Sequence, residues 1–139
     1  MSFEINLRAK LIADVDLNEG RVYPQNLPHD PDLPAQTYNI ISSTRTYSHS
    51  GDSGAPRKRV QIDSWAESYG QAKQMAEQTI AALSGFMGVM NQDTTVGVSH
   101  MENEMDARHP ETGWSHIPVD FVIGYYEDDE EEENENEGE

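Results

Sequence analysis

A chain of 139 residues with 26 acids, 9 bases and a net charge of −17 fits a single domain and is repelled by DNA and by anionic membranes. With no cysteine it forms no disulfide, no thiolate zinc site and no cysteine-ligated iron–sulfur cluster. Ten of the acids and no base lie in 127–139, leaving 16 acids against 9 bases, about −7, on a body of ordinary globular composition that is not basic like a nucleic-acid binder.

The opening Met1-Ser2-Phe3-Glu4 has neither the charged onset nor the apolar run of a secretory signal, so cytoplasmic synthesis is expected. No apolar stretch approaches the ~20 residues that span a bilayer, and no membrane association is expected. Phe3, Leu7 and Leu11 recur every fourth residue with Ile5 and Ile12 beside them, which predicts an amphipathic helix over 3–14. Asn18-Glu19-Gly20 is a turn, and Arg21-Val22-Tyr23 a brief extended piece. Pro24, Pro28, Pro31 and Pro34 forbid helix and predict an extended connection over the surface.

Thr37 to Arg45 and Arg59 to Trp65 alternate in polarity and are rich in Thr, Tyr, Ile and Val, which predicts two strands. Between them, Thr46 to Pro56 is small and polar at its centre, so a long flexible hairpin tip is expected. A helix over 69–84 follows, with Tyr69, Ala72, Ala76, Ile80 and Leu83 in one stripe and Met75 alongside. Ser68 and Gln71 fit a capping box, and Ser84-Gly85 supplies the stop. Two more strands, Thr94 to Glu104 and Trp114 to Tyr126, are joined through the turn His109-Pro110-Glu111-Thr112-Gly113. The expected fold is α+β: an antiparallel sheet of about four strands, two helices on one face, and a long hairpin between the first two strands. Residues 1–126 form the domain. The segment 127–139, beginning Glu127, Asp128, Asp129, Glu130, Glu131, Glu132, Glu133, is expected to be a disordered acidic tail, because like charges repel and no apolar group offsets the entropy of ordering.

Catalytic patterns are missing: no glycine-rich loop joins a strand to a helix, and Ser50-Gly51-Asp52-Ser53-Gly54 lies between two strands, the wrong place for a nucleophile elbow. The five histidines show no i, i+4 pair, so no metal site and no cofactor is expected. His100 and His116 fall in adjacent strands and are placed as a cross-strand polar pair. Glu102, Glu104 and Asp106 alternate, so they are expected to share one solvated face. Two charge features remain. Arg45, Arg57, Lys58 and Arg59, nearly half of the 9 bases, gather at the base of the long hairpin. They either blunt an exposed strand edge or form a docking loop for an acidic surface or DNA. The acidic tail either solubilises the chain or acts as a regulatory arm over a basic surface.

Several segments resemble the tail completion proteins of long-tailed bacteriophages, also described as tail terminator or head–tail joining proteins. They are Leu7-Arg8-Ala9-Lys10-Leu11-Ile12-Ala13-Asp14, Gly20-Arg21-Val22-Tyr23-Pro24, Leu33-Pro34 leading into Tyr38, Val60-Gln61-Ile62-Asp63-Ser64-Trp65, Ser68-Tyr69, and Pro110-Glu111-Thr112-Gly113-Trp114 followed by Val119-Asp120-Phe121. The likeness runs over about residues 5 to 126 and is carried by the order of many small motifs. It implies a structural virion protein, usually a hexameric ring, that caps the head-proximal end of the tail tube and joins it to the head connector. DNA then only passes through the channel. The place implied is the head–tail neck, after assembly in the host cytoplasm. The family's hairpin reaches towards a neighbour or the channel, which by position is Thr46 to Arg59, and the family offers no catalytic residues. The interface candidates are Arg45, Tyr47, His49, Arg57, Lys58 and Arg59, with Glu102 and Glu104 as their acids on the adjacent subunit. A head-side connector component and an acidic-tailed regulator of basic partners are the competing readings.

Overall fold

The computed structural model describes residues 2–44, 47–48, 51–52, 56–91 and 94–127. Helix α1 spans Ser2–Asp14, and a 3-10 turn, Asp16–Asn18, follows it. Phe3, Leu7 and Leu11 are fully buried, as their four-residue spacing requires of a stripe facing a core. Helix α2 spans Tyr69–Leu83. Ser68 opens it, its hydroxyl accepting from the Gln71 N–H at 3.3 Å, and Gly85 at φ 77 turns the chain away at its end. Tyr69, expected in the buried stripe, is half exposed and donates to Asp106 instead; Ala72, Met75, Ala76, Thr79 and Leu83 form the buried side.

The strands are β1 (Val22–Pro24), β2 (Ala35–Thr44), β3 (Tyr47–Ser48), β4 (Gly51–Asp52), β5 (Arg57–Ala66), β6 (Gly88–Met90), β7 (Thr94–Glu104), β8 (Ala107–Arg108) and β9 (Ser115–Glu127). The expected four are β2, β5, β7 and β9, and they form the centre of the sheet in the order β2-β5-β9-β7, antiparallel throughout. The sheet is larger and mixed, however. It has seven strands, with β1 on one edge, β6 on the other and β8 beside β9, and the β1–β2 pair is parallel. A three-residue strand is too short to show a period of two, which is why β6 left no signal. The parallel pair follows from the proline-rich segment, which carries the chain back over the surface to enter β2 in the direction of β1. The hairpin tip is not wholly unpaired, since β3 and β4 form a two-residue antiparallel ladder.

Both helices cover the same face. Beneath them lie Val60 and Ile62 of β5 and Ile117, Val119, Phe121, Ile123 and Tyr125 of β9, all buried. Phe3 packs its ring on Tyr125 with centroids 4.5 Å apart. This face also buries a polar network. Gln36 Nε2 donates to Ser64 Oγ (3.1 Å) and Thr79 Oγ1 (2.7 Å), and its Oε1 accepts from Asn18 Nδ2 at 2.8 Å. Asn18 Nδ2 also reaches the Leu11 carbonyl at 3.0 Å, so a residue read as part of a surface turn instead ties the end of α1 to β2 and α2. Each buried side-chain nitrogen and oxygen of this network has a hydrogen-bond partner, which is the condition for burying such groups.

Candidate functional site

Alternation along β5 divides the bases of the hairpin. Arg57 and Arg59 stand opposite Gly124 and Val122 of β9 and lie on the outer face, away from the helices. Lys58 stands opposite Ile123 on the helix side, where its ammonium lies 3.8 Å from the Glu4 carboxylate and 5.7 Å above the Phe3 ring. It also donates to Ser43 Oγ at 3.0 Å. Lys58 is therefore a half-buried tether between β5 and α1, and of the three described bases of the hairpin only the two arginines present charge on the outer face. Among the described residues Arg57 makes no ion pair, and Gly124 gives it room. A Cβ at Gly124 would sit 2.8 Å from Val98 Cγ1 and 3.6 Å from Arg57 Cγ, so the missing side chain lets the arginine stem lie across the sheet. Arg45 and His49 lie outside the described residues, as do the side chains of Tyr47 and Glu127 and the tail from Asp128 to Glu139.

The acids do not share one face. The pairing of β7 with β9 shifts between Met101 and Asn103, which makes Glu102 the extra residue of a bulge. Glu102 lies 4.0 Å from Arg59 Nη2 and bonds the His100 ring, both on the outer face. Glu104 stands opposite Val119 on the helix side, where Lys73 of α2 donates to it at 2.7 Å and also approaches Asp106 at 3.5 Å. That hydrogen bond to Glu104 is the main cause holding the Lys73 ammonium above its ordinary pKa. Of the predicted partners, the structure brings Arg59 and Glu102 together within one chain. It commits Lys58 and Glu104 to other residues and leaves Arg57 outward.

The two histidines are not cross-strand partners. His100 faces Val122, whereas His116 faces Trp65 and Ala107. Two extra residues, at Gly97 and Glu102, and the short strand β8 set a register that the turn alone does not reveal. His116 stacks on Trp65 at 4.2 Å, and its Nε2 is 3.7 Å from Asp63 Oδ2. Burial pushes the Asp63 carboxyl above the usual aspartate range, against the hydrogen bond from Gln61 and the attraction of His116. The Asp120 carboxylate also raises it, by repulsion. Among the described residues no three His, Asp or Glu side chains converge as a metal site, and no helix is long and apolar enough to cross a membrane. The described residues offer charged and apolar surface for contact.

The sequence model described as tail completion protein gp17 matches residues 5–126. The chain belongs to this family. It is thus a structural, tail-related virion protein of the bacteriophage kind. The matched span runs from within α1 to the penultimate residue of β9 and stops where the acidic run begins. Two solved structures share the fold. A chain from the virion of a native gene transfer agent particle is 17% identical with a TM-score of 0.64, and the match covers 88% of this chain and 90% of that one. A second solved chain is 16% identical with a TM-score of 0.54, covering 88% of this chain and 93% of that one. No curated protein matches the sequence.

Proposed function

We propose that this tail completion protein caps the head-proximal end of the phage tail tube and joins it to the head connector, as a closed ring of identical copies that the family resemblance puts at six. The observation that carries the reading is the family match across the whole folded body. The surface supports it: the groups that fold the domain are buried under the helices, while Arg57, Arg59, His100 and Glu102 stand on an outer face with no helix over it. A small domain uses such surfaces by heterologous contact, each copy offering one patch to the next, and rotation closes the ring. In this reading the hairpin from Thr46 to Arg59 reaches a neighbour or the channel, and Arg45, Tyr47 and His49 are among its contact residues. The partners are the tail tube protein below and the connector above, and DNA passes through the centre. The tail, with ten acids per copy, then concentrates negative charge on one surface of the ring and repels DNA or a second ring there.

Electron microscopy of assembled particles carrying a labelled chain tests the proposal. Label at the junction of head and tail, with a ring in cross-section, is the expected result. Label elsewhere on the particle, or retention on purified capsids but not on purified tails, overturns the tail-side assignment.

A further inference from the structure

The two edges of the sheet are each covered over only part of their length. On one side, β1 pairs with β2 only at Gln36, Thr37 and Tyr38, and the Gln25 N–H bonds the Tyr38 carbonyl just past them. Beyond that point, 39–44 has β5 on one flank and no strand of the described residues on the other. On the opposite side, β6 pairs with β7 only at Thr94, Thr95 and Val96, and the Gly85 N–H bonds the Ser99 carbonyl. Beyond Ser99, 100–104 has β9 on one flank and no strand of the described residues on the other. Exposure follows the same division: 35–38 are all buried, whereas 41–44 and 100–103 are all exposed.

The bare stretches lie at the same height. Following the register across the sheet, Ser42 is level with Arg59, Val122 and His100, and Ile40 with Val60, Phe121 and Met101. Asn39 is level with Gln61, Asp120 and Asn103. The cover on one edge (β1) lies below this level and the cover on the other (β6) above it, so neither obstructs a sheet laid alongside. Strands β2 and β7 also run in opposite directions, being separated by three antiparallel pairings.

We propose that the bare half of β7 in one copy pairs, antiparallel and through the main chain, with the bare half of β2 in the next copy. The inference rests on the ring reading and states how the ring is joined. The occupant is a second copy because both sides of the contact match in kind. On the helix side, Met101 (38% exposed) comes beside Ile40 and the groove of about 490 Å³ lined by Ile5, Ile12 and Tyr38, apolar surface that a flexible thioether fills. On the outer side, Glu102 approaches the strand flanked by Arg57 and Arg59. The contact joins two different edges, so it propagates from copy to copy and ends only when the ring closes. The bulges at Ile41 and Glu102 and the edge carboxylates discourage pairing with arbitrary strands.

The chain has no cysteine, so a pair can be introduced cleanly. Asn39→Cys and Asn103→Cys in one full-length chain place two thiols on the same face at the same height. Treatment of assembled particles with a short bis-maleimide is expected to convert most of the monomer into a ladder of covalent multimers extending past the dimer. Asn39→Cys with Val89→Cys on β6 is expected to give none. A ring seen by microscopy with no ladder from the first pair, with a ladder from the second, or with a product that stops at the dimer overturns the edge pairing and leaves the ring reading standing. Particles with no ring at the junction overturn both.

Discussion

Two consecutive stretches of β2 share the ladder to β5 and differ in what covers their other edge. Residues 35–38 are buried, covered by β1 on their edge, and they carry Gln36 into the network with Asn18, Ser64 and Thr79. Residues 39–44 continue the same strand and the same ladder to β5, yet five of the six are exposed, all but Ile40. Hydrophobic burial and satisfied buried hydrogen bonds supply fold stability, so the first stretch holds the domain together and the second adds little to it. What the second stretch offers is an unfinished edge beside an apolar groove and two arginines. Separation of folding surface from contact surface along one strand makes the two experimentally separable.

The largest effect should come from beneath the helices. Phe121→Ala removes a fully buried ring from the centre of the core and is expected to cost about 3–5 kcal/mol in denaturant unfolding. Gln36→Ala comes next, at about 1–3 kcal/mol, because it takes a buried acceptor from the Asn18 amide and a buried donor from the Ser64 and Thr79 hydroxyls, of which Asn18 and Thr79 keep their bonds to the Leu11 and Met75 carbonyls. Its counterpart on the bare stretch, Ser42→Ala, should change stability by no more than about 0.5 kcal/mol. Equal losses at positions 36 and 42 would erase the distinction between the two stretches.

Asp63→Asn sharpens the comparison through pH. Burial raises the Asp63 pKa, so the folded state holds this proton more tightly than the unfolded chain does, and stability from this group falls as pH rises through the folded pKa. The substitution should therefore raise Tm modestly at neutral pH, and the gain should fade as pH drops below the ordinary aspartate range. A gain that persists undiminished in acid would assign the effect to something other than ionisation. The smallest effect on folding belongs to Arg57→Glu with Arg59→Glu, within about 0.5 kcal/mol of the parent, while ring assembly on tails should be lost. Unchanged assembly would remove the outer-face arginines from the contact.

The long periodic elements were legible before any coordinates: both helices, four strands and their two hairpins agree with the structure to within a residue or two at most boundaries. The site was legible only in outline. Arg57 and Arg59 could be found as bases on alternate positions, but Lys58 between them turns to Glu4 and Phe3, contacts that come from a helix more than fifty residues away in the chain. Ile41, placed out of phase next to Ile40, was the available signal for the bulge at the bare edge, and Gly124 in an apolar strand was the signal for the space beside Arg57.

Amino-acid order alone determined which segments are helix or strand and that the chain folds as an α+β body, because those properties rest on the spacing of apolar residues along a few turns or pleats. Tertiary structure decided the short strands, the parallel edge, the side on which Glu102 and Glu104 emerge, and the two uncovered half-edges. Each of these depends on which distant strand lies alongside and in what register, and a single inserted residue reverses the answer without altering local composition.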